Sequence, residues 1–243
     1  MSVSYLAYAD ILLYGKDRNF DNVLIDTMKI FLKILLGLFL LLAAVVVTQL
    51  LDETTEGTSF LAQLVNKHNF TAVSQGRLYR SSEMSNSDLA ELIKTQQIKS
   101  VIDLRFGRDE PDDNGISEQS TIKSSGAQYF HIPVLGSKIP PKQTILDLLA
   151  VYDSAPEPIL IHCSSGTHRS GVASALWLIY KANSPPQEAA KQLSPRYGFF
   201  YAERWLKSKF QGYPTIDNLL WQYQKDYEKT QIDIKDWVNS NLK

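Results

Sequence analysis

The chain has 243 residues, 44% hydrophobic and 21% charged, enough to bury one sizeable core beside an extra segment and unlike a disordered or collagen-like polymer. A formal charge of −1 and a pI near 6.4 exclude a global basic field of the kind that drives nucleic-acid binding. Cys163 is the only cysteine, which rules out an intramolecular disulfide or a multi-cysteine metal site; the four histidines (His68, His131, His162, His168) lack metal-ligand spacing, so no cofactor is expected.

Residues 1–29 read as a juxtamembrane segment carrying Lys16, Arg18 and Lys29. From Ile34 to Leu51 follow eighteen residues without a charge, and adding Ile30 to Lys33 brings the run to the length that crosses a bilayer. The run is apolar on every face, unlike a helix covering one side of a core, and it starts too far along the chain for a cleavable signal. Residues 30–51 are therefore expected to be an uncleaved transmembrane anchor. Downstream, Asp52, Glu53 and Glu56 outnumber Lys67, so the positive-inside rule puts the N-terminus in the cytoplasm and the C-terminal domain on the other side.

Asp52 to Ser59 (DETTEGTS) is polar and contains glycine, a linker before a domain expected over residues 60–243. Short apolar runs then alternate with helical patterns. Strands are predicted at Arg77 to Arg80, Val101 to Leu104, Tyr129 to Val134 and Pro158 to Ile161. Ser85, three residues before Asp88, reads as an N-cap; Pro141 suits a helix start; Ser184 and Gln187 form a capping box with Pro185 in the first turn. Such alternation predicts an α/β layer fold. From Thr215, apolar residues at helical spacing (Ile216, Leu219, Leu220, Tyr223, Tyr227) predict a packed tail helix.

The chemistry concentrates in Pro158 to Ala175, PILIHCSSGTHRSGVASA, where a buried strand runs into His162-Cys163, then five residues, then Arg169-Ser170 and a helix. A loop entering a helix N-terminus aims several backbone N–H groups inward, and with the helix dipole these bind an anion. Ser164, Ser165, Gly166, Thr167 and His168 supply that cradle, and Gly166 and Gly171 are expected to allow its curvature. The same groups favour the Cys163 thiolate over the thiol. Arg169 offers a planar fork to two phosphate oxygens, and Ser170 can donate to the sulfur as it departs from a phosphocysteine.

Cys163 and Arg169 with five residues between, preceded by His162 and followed by Ser170, resemble the signature loop of the protein tyrosine and dual-specificity phosphatase superfamily. Gly76-Arg77-Leu78-Tyr79-Arg80-Ser81, Val101 to Arg105 (VIDLR) and His131 to Val134 (HIPV) extend the resemblance to the bacterial branch. Gln192 to Gly198 (QLSPRYG) is similar to membrane-associated members acting on phosphatidylglycerophosphate, and His168 before the loop arginine resembles plant and fungal atypical dual-specificity phosphatases. The resemblance implies a dual-specificity-phosphatase-like central sheet flanked by helices, preceded by one N-terminal transmembrane helix in a bacterial inner membrane. It implies a phosphatase working through a phosphocysteine on a phosphoprotein (phosphotyrosine) or a membrane phospholipid phosphate, with no nucleic-acid partner.

The acid that such enzymes carry on a mobile loop is missing from Leu135 to Pro141 (LGSKIPP). His168, Asp109, Glu110, Asp112 and Asp113 are the candidates for protonating the leaving group. The gap motivates an alternative, a catalytically weak phosphate-binding module at the membrane. His162 is expected to support the loop, Asp103 and Arg105 to form an ion pair or shape the edge of the site, and Arg80 and Arg196 to be surface charges, with binding of a second phosphate or a headgroup as their alternative.

Overall fold

The computed structural model describes residues 27–41, 67–107, 111–202, 205, 209–210 and 214–243. The chain divides into two compact units, Met1–Leu51 and Asp52–Lys243. In the first, a helix over residues 27–41 (α1) carries the start of the apolar run, and its Leu32, Phe39 and Leu41 are exposed. Among the described residues no helix is long and apolar enough to cross a membrane. The rest of the expected span (42–51), the linker at 52–59 and the domain start at Phe60 lie outside the described residues.

The second unit is organised by a mixed five-stranded sheet in the order β1-β2-β5-β3-β4. Its strands are β1 (Thr71–Ser74), β2 (Leu78–Ser82), β3 (Ser100–Asp103), β4 (Gln128–His131) and β5 (Ile159–Cys163). β1 is an antiparallel edge strand on β2, and the other pairs are parallel. Parallel neighbours require crossovers, which α2 (Asn86–Thr95), α3 (Glu118–Ser124) and α4 (Lys142–Ser154) supply. After β5 come α5 (Arg169–Ala182), the short α6 (Pro186–Ala189), α7 (Asn218–Thr230) and α8 (Ile234–Asn241).

Local signals place most of these elements. Ser85 caps α2 by accepting from the Asp88 amide at 3.2 Å. The predicted strand to Val134 stops at His131, although the amides of Ile132 and Val134 still donate to the carbonyls of Asp103 (3.0 Å) and Leu104 (3.2 Å) beyond it. The capping box at Ser184 is not formed. α6 starts after Pro185, no side chain caps it, and Gln187 instead donates to Glu228 across to α7.

Strand alternation divides the core into two faces. Leu78, Ile102, Ile159, Ile161 and Cys163 pack with Leu148, Leu176, Trp177, Leu219 and Trp237 on the face covered by α4, α5, α7 and α8. Tyr79, Val101 and Leu160 pack with Leu89, Ile93 and Ile122 on the face covered by α2 and α3. Each fully buried aliphatic side chain contributes roughly 1.5–3 kcal/mol. The register sets Ser82 opposite Cys163 and Asp103 opposite His162, so the C-terminal ends of β2, β3 and β5 converge where the signature loop begins.

Candidate active site

β5 ends on Cys163 and α5 begins at Arg169, so the loop between them opens at a helix N-terminus. Alternation turns Cys163 toward α4 and α5 and its neighbour His162 toward α2 and α3. Cys163 is 1% exposed, and its Sγ lies 3.5 Å from Ser170 Oγ, whose hydroxyl can donate to a thiolate. Gly166 has φ +70°, and a Cβ there would stand 2.6 Å from the Ser82 nitrogen, so the turn demands glycine. Gly171 does something other than the expected bending. It sits in α5 without a positive φ, and a Cβ would come within 2.7 Å of Leu193 Cδ2 and 3.2 Å of Arg80 Nη2, so its bare Cα makes room for those two side chains.

Arg169 is buried, with Nη1 donating to the Leu104 carbonyl (3.0 Å) and Nη2 to Ser164 Oγ (3.0 Å). Burial lowers its pKa to about 10, which leaves it charged at neutral pH. The loop thus meets an incoming anion with a fixed cation and with Ser164 beside it. Thr167 is different: its side chain is fully buried and donates to the Tyr197 carbonyl at 3.1 Å, so only its backbone can face a ligand.

Arg80, expected at the surface, is fully buried. It stands two residues after Leu78 and pairs in register with Ile161, so alternation turns it toward the Cys163 side of the sheet. Nη2 donates to the carbonyls of Gly166 (2.7 Å) and Thr167 (3.0 Å), Nη1 donates to the carbonyl of Gln192 (2.7 Å), and the guanidinium lies 4.3 Å from the centre of the Tyr197 ring. Burial brings its pKa to about 10, against the opposing pull of Cys163 and Tyr197. Arg196 is exposed as expected. Asn69, absent from the sequence candidates, is also buried, and its Nδ2 donates to the carbonyls of Gly166 (3.0 Å) and Tyr197 (3.0 Å). The QLSPRYG segment is therefore a brace behind the loop.

On the opposite face a closed set of charges lies under the strand ends. His162 Nε2 is 2.8 Å from Glu118 Oε1 and 3.8 Å from Asp103 Oδ1. Arg105 donates through Nε and Nη2 to both Asp103 oxygens (2.9 and 2.8 Å), and its guanidinium also pairs with Glu118 and Glu83. Burial opposes charging of His162, but the Glu118 carboxylate with Asp103 behind it outweighs burial and raises its pKa. Burial likewise opposes charging of Asp103, and His162 and Arg105 reverse that and lower its pKa. Asp103, Glu118 and His162 hold ligand atoms within 4.8 Å of one another, yet Arg105 already bonds both carboxylates, so the cluster carries its own cation. Arg105 is thus an ion-pair hub, and His162 supports the site from the far side of the strand. Glu118 escaped the sequence reading because its helix has seven residues and no long apolar period.

Of the acid candidates, Asp112 accepts from the amides of Asn114 (2.9 Å) and Ile116 (3.0 Å) and from Asn86 Nδ2 (2.9 Å). The Asn86 amide and these backbone N–H groups hold its carboxyl below the usual range, which suits a turn anchor better than a proton donor. Asp113 is exposed, and Asp109 and Glu110 lie outside the described residues. His168 is half-buried at the start of α5, its ring 5.5 Å from that of Phe199 in an edge arrangement.

The chain is similar to several known proteins. Inositol diphosphatase SIW14 of Saccharomyces cerevisiae is 30% identical over 130 residues, covering 49% of this chain and 44% of that protein. Inositol diphosphatase DSP1 of Oryza sativa subsp. japonica is 33% identical over 113 residues, covering 44% of this chain and 48% of that protein. The chain thus spans about half the length of these curated relatives. Among solved structures, the core catalytic domain of SIW14 with citrate has a TM-score of 0.45 at 23% identity, over 66% of this chain and 93% of that one. TpbA of P. aeruginosa has 0.43 at 18%, over 65% and 91%. The family model described as a DSP-PTPase phosphatase fused to NAD+ kinase matches residues 60–203, more than half of the sequence and all of the signature loop. The chain belongs to that family, within the cysteine-dependent phosphatases of the dual-specificity superfamily.

Proposed function

We propose that the protein hydrolyses a phosphate monoester through a phosphocysteine. The Cys163 thiolate attacks phosphorus, an S–P bond forms as the P–O bond to the alcohol breaks, and the alcohol leaves with a proton. Water then cleaves the S–P bond, and Ser170 donates to the sulfur as it departs. Arg169 and the loop N–H groups hold the phosphoryl oxygens through both steps. The observation that carries this reading is the convergence of buried Cys163, Ser170 at 3.5 Å and a charged, carbonyl-anchored Arg169 on one loop.

The proton donor in this reading comes from the segment after β3, at Asp109, Glu110 or Asp113, because that segment leaves the sheet at Leu104, whose carbonyl Arg169 holds. His168→Ala set beside the loop variants tests it, since only the true donor removes the basic limb of the rate profile.

For the substrate, the five loop residues between Cys163 and Arg169 (Ser-Ser-Gly-Thr-His) include no Lys or Arg. The loop brings one guanidinium to the phosphate, which suits a single phosphate monoester better than the clustered phosphates of an inositol diphosphate. The uncharged run from Ile34 to Leu51 and the exposed apolar side chains of α1 support an anchor in a membrane, with a phospholipid phosphate within reach. A phosphotyrosine protein is the second reading, carried by the superfamily.

Phosphate release by the full chain in lipid vesicles, from phosphatidylglycerophosphate, a phosphotyrosine peptide and an inositol diphosphate, tests the ranking, with Cys163→Ser alongside. Turnover highest on the lipid and absent in the variant supports it. Preference for the inositol diphosphate overturns the substrate reading, and binding without turnover favours the phosphate-binding module.

A further inference from the structure

Arg80 and Asn69 do not point into the cradle; they hold it from behind. Their donors reach the carbonyls of Gly166 and Thr167, and Asn69 Nδ2 lies a further 3.4 Å from the Ser165 carbonyl. The peptide bonds of this loop are trans, so each carbonyl pinned on the outer side forces the N–H of the next residue to the inner side. Three consecutive N–H groups, those of Gly166, Thr167 and His168, therefore point away from Arg80 and Asn69.

We propose that Arg80 and Asn69 are positioning residues that keep the loop in its anion-binding orientation, with the Gln192 to Tyr197 segment as their fixed support. The proposal rests on the phosphatase reading of the loop and adds to it the device that preorganises the oxyanion donors. A free loop would let its peptides rotate, and unpaired carbonyls facing a phosphate repel it. Arg80 is suited to this role because a planar fork can reach two successive carbonyls at 2.7 and 3.0 Å while its other nitrogen is tied to Gln192 at 2.7 Å. Lysine lacks that span. Gly171 supplies the space, since a Cβ there would lie 3.2 Å from Arg80 Nη2. Asn69 works from the other side of the turn and joins the Gly166 carbonyl to that of Tyr197. Its own φ of +47° is one that asparagine and glycine tolerate.

The experiment alkylates Cys163 in the full chain with anionic iodoacetate and with neutral iodoacetamide, with and without inorganic phosphate, in wild type, Arg80→Lys and Asn69→Gly. Asn69→Gly keeps the left-handed backbone and removes only the amide, so it decides the matter if Arg80→Lys does not fold. In the wild type the cradle draws iodoacetate in, and phosphate protects the sulfur. In each variant the iodoacetate-to-iodoacetamide rate ratio is expected to fall at least fivefold and protection by phosphate to weaken about tenfold, the loss that accompanies about one hydrogen bond to an anion. Iodoacetamide needs no anion site and reports the thiolate fraction alone, so taking the ratio of the two rates removes any change in the ionisation of the sulfur. An unchanged ratio and unchanged protection, with only the melting temperature lowered, would make both residues plain structural supports and overturn the proposal. If the wild type itself shows neither iodoacetate preference nor phosphate protection, the phosphatase reading fails first.

Discussion

On the two sides of the β5 end, adjacent residues face different electrostatic settings. Cys163 lies among apolar side chains, with Ser170 and the guanidinium of Arg169 near the same loop. His162 lies in a ring of Glu118, Asp103, Arg105 and Glu83 in which each charge meets an opposite one. Buried charge that is already compensated holds a structure together. Arg169, by contrast, is held by backbone carbonyls and a hydroxyl beside Cys163, where a cation can attract an incoming anion.

The contrast is broken most severely at Cys163. Cys163→Ser is expected to lower kcat for para-nitrophenyl phosphate by about 10⁴-fold or more while leaving the melting temperature near that of wild type. Arg169→Lys retains the charge but loses the fork, and kcat should fall by about 10²–10³, read from steady-state kinetics. Gly166→Ala brings a Cβ to 2.6 Å from the Ser82 backbone at a φ of +70°. It should destabilise the fold by roughly 1–3 kcal/mol in urea titration and weaken phosphate binding with it.

On the His162 side the effects should fall on stability more than on chemistry. Glu118→Gln leaves His162 and Arg105 facing one carboxylate fewer and is expected to destabilise by about 3 kcal/mol, measured by urea unfolding at neutral pH. The pH dependence has a definite sign. The folded pKa of His162 lies above the ordinary 6.5, so its contribution is complete below pH 6.5 and is lost as the pH rises through the folded value. Asp103 runs the other way: its folded pKa lies below 3.8, so its contribution holds above that and is lost as the pH falls through the folded value. Unfolding midpoints of wild type and His162→Gln above pH 6.5 should therefore converge as the pH rises. Parallel curves would show that the ring is not charged in the native protein.

The smallest effect belongs to Asp112. Its carboxylate is committed to Asn86 and to two backbone amides, so Asp112→Asn should leave kcat within about tenfold, against the 10²–10⁴ that removal of a general acid costs. A larger loss would restore Asp112 as the proton donor.

What the sequence determined by itself is what depends on neighbours along the chain. The β5–loop–α5 unit is contiguous, and Cys163, Arg169 and Ser170 owe their proximity to the spacing of a strand, a turn and a first helical turn. Ser85 as a cap and the four parallel strands were legible for the same reason, through a local hydrogen bond and short apolar runs. Tertiary structure decided what stands behind that loop. Asn69 lies 97 residues from Gly166 and Arg80 lies 112 from Gln192, and no local pattern distinguishes a buried arginine that bonds carbonyls from an exposed one. Glu118 reaches His162 only because parallel pairing brings the ends of β3 and β5 together under α3. The residues proposed to do the chemistry were placed by chain continuity, and those that hold them in place by a sheet that joins distant segments.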